Sequence, residues 1–149
     1  MNKETYQKYY QSGEGHFWLT NPNPRAKATK RWDCGDCCIR ALANAMSCSW
    51  VEAFDWLTER ARRDYSVVND AQDFRRWLIQ GGAVWKNCPA EKGKARMKVR
   101  DFAEKHPEGR YVITIANHET AVVNGQILDA WNCGESAVVG YLNMADFKL

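Results

Sequence analysis

Three residues of this sequence have the types and positions that a nucleophilic site needs, and the first is Cys37. It directly follows Asp36, a residue type that often precedes the first turn of a helix. Unpaired backbone N–H groups and the helix dipole favour a thiolate there, and the same N–H groups can hold a developing oxyanion. The Asp36 carboxylate opposes the thiolate, so the site also needs a protonated histidine nearby.

The second and third residues, His118 and Asp129, are positioned by a predicted β-hairpin. Asn124-Gly125 is a strong signal for a two-residue turn. Extending the ladder from that turn puts Thr120 opposite Asp129 and His118 opposite Trp131. Side chains alternate along a strand, so His118 and Asp129 share one face as diagonal neighbours. The carboxylate would orient the imidazole and support its charged form, and Trp131 would shield the pair from water.

Helical patterns fill most of the region between these residues. The helix that begins after Asp36 has Arg40 and Asn44 as its clearly polar members, and a helix apolar on most sides is a buried one. We expect it to be the central helix of the domain. Ser49 and Glu52 form a capping box that starts the next helix. The four helices are expected over Cys37–Ser47, Ser49–Arg63, Asp70–Gln80 and Met97–Lys105, with Gly81-Gly82 ending the third.

Strand patterns replace helical ones from Arg110 onward. Stretches that are rich in β-branched residues, or in which polar and apolar residues alternate, predict β-strands. We expect strands over Tyr111–Ile115, Thr120–Val123, Gln126–Trp131 and Ala137–Leu142. Helices followed by an antiparallel sheet indicate an α+β fold.

The length of 149 residues predicts one domain. We expect a helical half at residues 33–109 and a β half at 110–149. Residues 1–32 are expected to be irregular, since glycine, proline and asparagine interrupt them. Within them we expect a short helix or extended piece at Thr5–Tyr10 and a loop that packs Phe17 and Trp18.

The candidate residues resemble those of the papain-like cysteine peptidases. The shared features are Gly35-Asp36-Cys37 opening a buried helix, Asn117-His118 beginning a strand, and Asp129-Ala130-Trp131. The resemblance implies a papain-like fold, with helices packed on a C-terminal sheet, and a Cys-His-Asp triad that cleaves a peptide or isopeptide bond. Cys37 would be the nucleophile and His118 the acid and base. Asp129 would replace an asparagine that orients the histidine, and Trp131 would cover it.

The chain also resembles small, uncharacterised papain-like proteins encoded by phages and their bacterial hosts. Those proteins share three motifs. The first is an Asp-Cys pair followed by a helix that ends in Arg-Ala-Leu-Ala, the second is a turn with the pattern Phe-Ala-x-x-His-Pro-x-Gly, and the third is a strand with the pattern His-x-Thr-Ala-Val. The matching stretches are Asp36–Ala43, Phe102–Gly109 and His118–Val122. These resemblances imply a peptide or protein as substrate.

One position departs from the papain pattern. Papain-like enzymes usually carry a glutamine shortly before the cysteine, and its side chain donates to the oxyanion. That position here is Arg31. Arg31, the Trp32 indole N–H or Thr29 would donate instead, or a backbone amide would act alone, and the sequence leaves these alternatives open.

The six cysteines are expected to be thiols, because the sequence has no export signal. Cys34 and Cys37 form a C-x-x-C, which zinc sites and redox motifs both use. Structural zinc would need a second such pair, and the sequence has none. A thioredoxin-like motif follows a strand, whereas this one follows a loop. We therefore expect neither a metal nor a cofactor.

Charge and composition leave two other classes of function open. The net charge of +3 is mild and argues against nucleic acid as a partner, although Arg25, Lys27, Lys30 and Arg31 cluster before Trp32. The alternatives to an enzyme are an inactive papain-like binding module and a small basic domain that contacts nucleic acid. No apolar run is long enough for a membrane span and no signal peptide is seen, so we expect a cytoplasmic protein.

Overall fold

The computed structural model describes residues 16–29 and 34–149. This part of the chain contains five helices and six strands. The helices are α1 (Pro24–Thr29), α2 (Cys37–Met46), α3 (Trp50–Arg63), α4 (Ala71–Gln80) and α5 (Val99–Lys105). The strands are β1 (Phe17–Leu19), β2 (Val84–Asn87), β3 (Arg110–Ile115), β4 (His118–Val123), β5 (Gln126–Asp129) and β6 (Gly140–Asn143). No helix in the described ranges is long and apolar enough to cross a membrane.

The six strands form one sheet in the order β1-β5-β4-β3-β6-β2. The predicted α+β class is confirmed, but the sheet is not purely antiparallel, because β1 runs parallel to β5. Strands β1 and β2 were not predicted. Both are short, and each pairs with a strand far away in the sequence, as Phe17 does with Ile127 and Val84 with Asn143. A local pattern cannot reveal such pairing.

The segment before the central helix is more regular than the sequence predicts. It contains β1 and also α1, which begins at Pro24, a residue suited to the first turn of a helix. Phe17 is buried, but Trp18 is 65% exposed, so the prediction that both pack inward is wrong for Trp18. Neighbouring residues in a strand point to opposite faces, so only one of the two reaches the core. The element predicted at Thr5–Tyr10 lies outside the described residues.

Helix α2 is buried, as its apolar pattern predicts. Ile39 and Leu42 belong to one core cluster with Ala121 of β4 and with residues of α3 and α4. The helix ends where Ser47 adopts the left-handed conformation, with φ of 53°. Asp36 takes the predicted N-cap position, but its side chain makes no capping hydrogen bond.

Helices cover both faces of the sheet. Ala121 packs on the side of α2, α3 and α4, whereas its neighbour Val122 packs with Phe102 of α5. This division follows from the alternation of side chains along β4. Because both faces are covered, polar side chains inside the sheet need partners there.

The β4–β5 hairpin has the predicted register. Asn124 and Gly125 both have positive φ, 47° and 76°, as a type I′ turn requires. Ala121 pairs with Leu128, as counting back from the turn predicts. Strand β5 ends at Asp129, so Trp131 lies beyond the strand.

Candidate active site

Cys37, His118 and Asp129 lie at the ends of three elements that pack together. Cys37 is the first residue of α2, His118 the first of β4 and Asp129 the last of β5. The antiparallel arrangement brings the start of β4 and the end of β5 to the same end of the sheet. Helix α2 packs against both strands. The local geometry of each element therefore presents one of the three side chains.

The imidazole of His118 is held by Asp129. Nε2 of His118 lies 2.6 Å from Oδ2 of Asp129, and the two side chains are 9% and 3% exposed. The other carboxylate oxygen accepts a hydrogen bond of 2.6 Å from the backbone N–H of Ala130. Because Nε2 is occupied by the carboxylate, Nδ1 is the ring nitrogen left to face Cys37.

Cys37 and His118 interact and shift each other's titration. A hydrogen bond from the Cys38 thiol is the main cause that lowers the pKa of Cys37 to about 4. Burial opposes this shift, and the His118 ring and the backbone N–H of Glu119 support it. Burial also acts to lower the pKa of His118, but Asp129 and Cys37 outweigh it and raise that pKa to about 9. The two groups therefore form a thiolate–imidazolium pair at neutral pH.

Trp131 covers the histidine. Its ring centroid lies 4.9 Å from that of His118, and the planes are tilted by 47°. The two rings meet as predicted, but not as a ladder pair, because β5 ends at Asp129 and Trp131 approaches His118 from beyond the strand. An aromatic ring in this position limits the access of water to the hydrogen bond between His118 and Asp129.

Asn69 also contacts the cysteine, and nothing in the sequence pattern marked it. Its Oδ1 accepts a hydrogen bond of 2.9 Å from the backbone N–H of Cys38 and lies 3.7 Å from Sγ of Cys37. Asn69 directly precedes Asp70, the N-cap of α4. Its position therefore depends on how α4 packs against the N-terminus of α2.

A buried arginine lies behind the site. Arg40 is 2% exposed, forms an ion pair with Asp36, and has a guanidinium nitrogen 4.0 Å from Oδ1 of Asp129. Asp36 also accepts hydrogen bonds from the side chains of Asn23 (2.7 Å) and Trp50 (2.8 Å). The expected opposition of Asp36 to the thiolate is therefore compensated by a nearby cation. Arg40 is a charged residue within an apolar helix, and that is the signal that could have identified it.

Glu119 is a buried carboxyl group next to the cysteine. It is 3% exposed and accepts a hydrogen bond of 2.8 Å from Oγ1 of Thr114. Burial raises the pKa of Glu119 to about 8, and the negative charge of Cys37 adds to the shift. Glu119 is therefore mostly protonated at neutral pH, which limits the negative charge around the thiolate.

We expect Glu119→Gln to stabilise the protein at neutral pH. The unfolded chain releases this proton near pH 4.5 and the folded chain near pH 8, so the free energy of unfolding falls as pH rises between those values. Glutamine does not ionise, so the variant should gain up to about 4 kcal/mol near pH 7.5 and little near pH 4.5. Urea unfolding at both pH values measures this, with Glu59→Gln as control because Glu59 is exposed. An equal gain at both pH values would contradict the raised pKa.

A metal fits poorly among these residues. Within the described ranges, His118, Asp129 and Cys133 bring ligand atoms within 4.8 Å of one another. However, the nearest nitrogen and oxygen are 2.6 Å apart, a hydrogen-bonding distance that is too short for two ligands of one tetrahedral zinc ion. All six cysteines are free thiols, and Cys34 accepts a hydrogen bond from Asn23.

The structure brings together Cys37, His118, Asp129 and Trp131, the four predicted site residues that lie in its described part. The other two, Arg31 and Trp32, lie outside the described residues. Sequence reasoning missed Arg40, Asn69 and Glu119, which contact or adjoin the site from other elements. Comparisons with protein-family models, with curated proteins and with solved structures found no match.

Proposed function

We propose that this chain is a papain-like cysteine hydrolase that cleaves a peptide or isopeptide bond. The observation that carries the proposal is the alignment of three groups in series. The Asp129 carboxylate holds one side of the imidazole, and the Cys37 thiol interacts with the ring. A thiolate at the start of a buried helix, paired with an oriented imidazolium, is the arrangement that nucleophilic acyl transfer requires.

The chemistry follows from the protonation states. The Cys37 thiolate attacks the carbonyl carbon, an S–C bond forms, and the carbonyl electron pair moves to oxygen. When the C–N bond breaks, the leaving amine takes the proton of the His118 imidazolium. The neutral imidazole then removes a proton from water, which hydrolyses the thioester and restores the thiolate. Asp129 keeps the ring in place through both steps.

Two features support the papain-like form of this proposal. The cysteine lies at the N-terminus of the central helix α2, and the histidine comes from the sheet on which that helix packs. Trp131 lies against the histidine, in the role that the resemblance assigns to it. A peptide-like substrate remains a proposal that rests on the resemblance.

Acyl transfer can be tested without knowing the substrate. We expect p-nitrophenyl acetate to release about one equivalent of p-nitrophenolate in a burst, as an acyl-enzyme intermediate forms on Cys37, followed by slower turnover. Mass spectrometry should find the acetyl group on Cys37, and Cys37→Ala should abolish both phases. Cys88→Ala is the matched control, since Cys88 is a half-buried free thiol in the loop after β2 and belongs to none of the elements that carry the site residues.

A second measurement separates an enzyme from an inactive binding module. The protein is incubated with a mixture of peptides, and new termini are identified by mass spectrometry. An enzyme produces termini that Cys37→Ala does not produce. If Cys37 is acetylated but never deacylates, and no peptide is cleaved, the protein is a binding module with an activated thiol and the proposal of a hydrolase is wrong.

A further inference from the structure

Acyl transfer creates an oxyanion beside Sγ of Cys37, and this charge needs hydrogen-bond donors. The backbone N–H of Cys37 is one donor. It belongs to the first residue of α2, and N–H groups of a first helical turn have no partner within the helix. One donor leaves the charge partly unsatisfied, so a second donor is expected within reach of the same position.

Asn69 has a side-chain amide, which can donate a hydrogen bond, and this amide lies close to Cys37. Its Oδ1 lies 3.7 Å from Sγ of Cys37, so the side-chain amide lies beside the sulfur that attacks the substrate in the proposed reaction. The same oxygen accepts from the backbone N–H of Cys38 at 2.9 Å. Because a backbone N–H only donates, the atom that contacts it must be the amide oxygen. This bond therefore fixes the orientation of the amide, with Nδ2 directed away from Cys38.

The nitrogen of this amide is available for a ligand. Within the described ranges, the hydrogen bonds of the Asn69 side chain both involve Oδ1. The residue is half-buried, and Nδ2 is not one of the fully buried side-chain nitrogens that lack a partner in the described ranges. An amide with its oxygen anchored and its nitrogen unused is a preorganised donor.

Asn69 lies in the segment between α3 and α4, residues 64–70, and hydrogen bonds to both helices hold this segment in place. The indole N–H of Trp77 donates to Asp64 at 2.7 Å, and the backbone N–H of Ser66 donates to the carbonyl of Ala61 at 2.8 Å. Ser66 also bonds Asp73 through its side chain. These contacts tie both ends of the segment to α3 and α4. An oxyanion donor is effective only when its position is fixed before the reaction, and these bonds provide that.

We propose that Asn69 donates through Nδ2 to the oxyanion, together with the backbone N–H of Cys37. This inference rests on the proposed function, since it assigns a role within the same acyl transfer. As the S–C bond forms, the carbonyl electron pair moves onto oxygen, which accepts both hydrogen bonds. When the C–N bond breaks, the pair returns to re-form the carbonyl and the amine leaves with the proton of His118.

Two substitutions test the role. Asn69→Asp keeps an oxygen that can accept from Cys38 but removes the N–H donor, and Asn69→Ala removes both. We expect each to slow the acetylation of Cys37 by p-nitrophenyl acetate about 100-fold. Alkylation by iodoacetamide forms no oxyanion, so its rate should change less than about threefold when compared at a pH where the thiolate is fully formed. Asn87→Asp is the matched control, because Asn87 is exposed on β2.

The outcomes separate this inference from the proposed function. If wild-type Cys37 is not acetylated at all, the proposed acyl transfer is wrong and the role of Asn69 falls with it. If the wild type is acetylated and both variants react equally fast, only the inference about Asn69 is overturned. A parallel loss of acetylation and alkylation also overturns it, since Asn69 would then support the fold or the thiolate and not the oxyanion.

Discussion

Iodoacetamide at pH 5 should alkylate Cys37 roughly fifty-fold or more faster than the other five cysteines. A thiol with the ordinary pKa of 9.0 is ionised to about one part in 10⁴ at that pH, whereas Cys37, with its pKa lowered to about 4, is almost fully ionised. The difference in ionised fraction alone would make Cys37 about 10⁴-fold faster. A thiolate of low basicity is a weaker nucleophile, however, and this reduces the advantage by a factor of about 100. Burial raises the pKa of Cys34 and of Cys48, which widens the difference. Peptide mapping by mass spectrometry measures the six rates.

The effect of His118 on the alkylation rate of Cys37 tests whether the two residues act as a pair. In the wild type, the alkylation rate should stay nearly constant between about pH 5 and pH 8, because Cys37 is ionised and His118 protonated throughout. His118→Ala should make the rate rise with pH, as it does for a less acidic thiol. His16→Ala is the matched control, since His16 bonds the carbonyl of Gly125 in the hairpin turn. Uniform, slow labelling of all six thiols would contradict the pairing of Cys37 and His118.

Arg40→Met should lower the free energy of unfolding by about 3–5 kcal/mol. The guanidinium is buried between Asp36 and Asp129, which are both buried themselves. Removing the cation leaves the Asp36 carboxylate in a poorly solvated interior without its ion-pair partner, and it leaves Asp129 with the His118 imidazolium alone. Loss of one partner is the costly case for a buried ion pair. Methionine has a similar length and is apolar, so the effect reports the loss of charge more than the loss of volume. Urea unfolding near neutral pH gives the value.

A surface arginine provides the comparison for Arg40. Arg62→Met, on the exposed side of α3, should change the free energy of unfolding by less than about 0.5 kcal/mol. In Arg40→Met, the alkylation rate of Cys37 should also begin to fall at a higher pH than in the wild type, because one positive charge near the site is lost and the His118 imidazolium is then the cation that remains beside Asp129. If Arg40→Met is as stable as Arg62→Met, the carboxylates have another source of compensation and the role assigned to Arg40 is wrong.

Much of the candidate site could be predicted because its main parts depend on short-range rules. A two-residue turn at Asn124-Gly125 admits one register, and that register alone puts His118 and Asp129 on the same face. The apolar pattern after Asp36 placed Cys37 at the start of a buried helix. Each of these inferences uses residues that are close in sequence, where turn chemistry and periodicity decide the geometry.

The surroundings of the site could not be predicted, because they depend on contacts between distant segments. Asn69 meets Cys37 only when α4 has packed beside α2, and no spacing in the sequence encodes that approach. Arg40 was visible as a polar residue in an apolar helix, but its neighbour Asp129 lies on β5. Strands β1 and β2 exist because β5 and β6 offer them backbone partners.

Sequence patterns were enough to predict helices α2 to α5, strands β3 to β6 in outline, the hairpin register, and the grouping of Cys37 with His118 and Asp129 as candidate site residues. The tertiary structure decided which groups surround them and how the charges are balanced. Periodicity and turn types act over a few residues, whereas desolvation and charge compensation depend on everything that packs nearby. The raised pKa of Glu119 illustrates this, because it arises from burial against segments far from β4 and from the thiolate on α2.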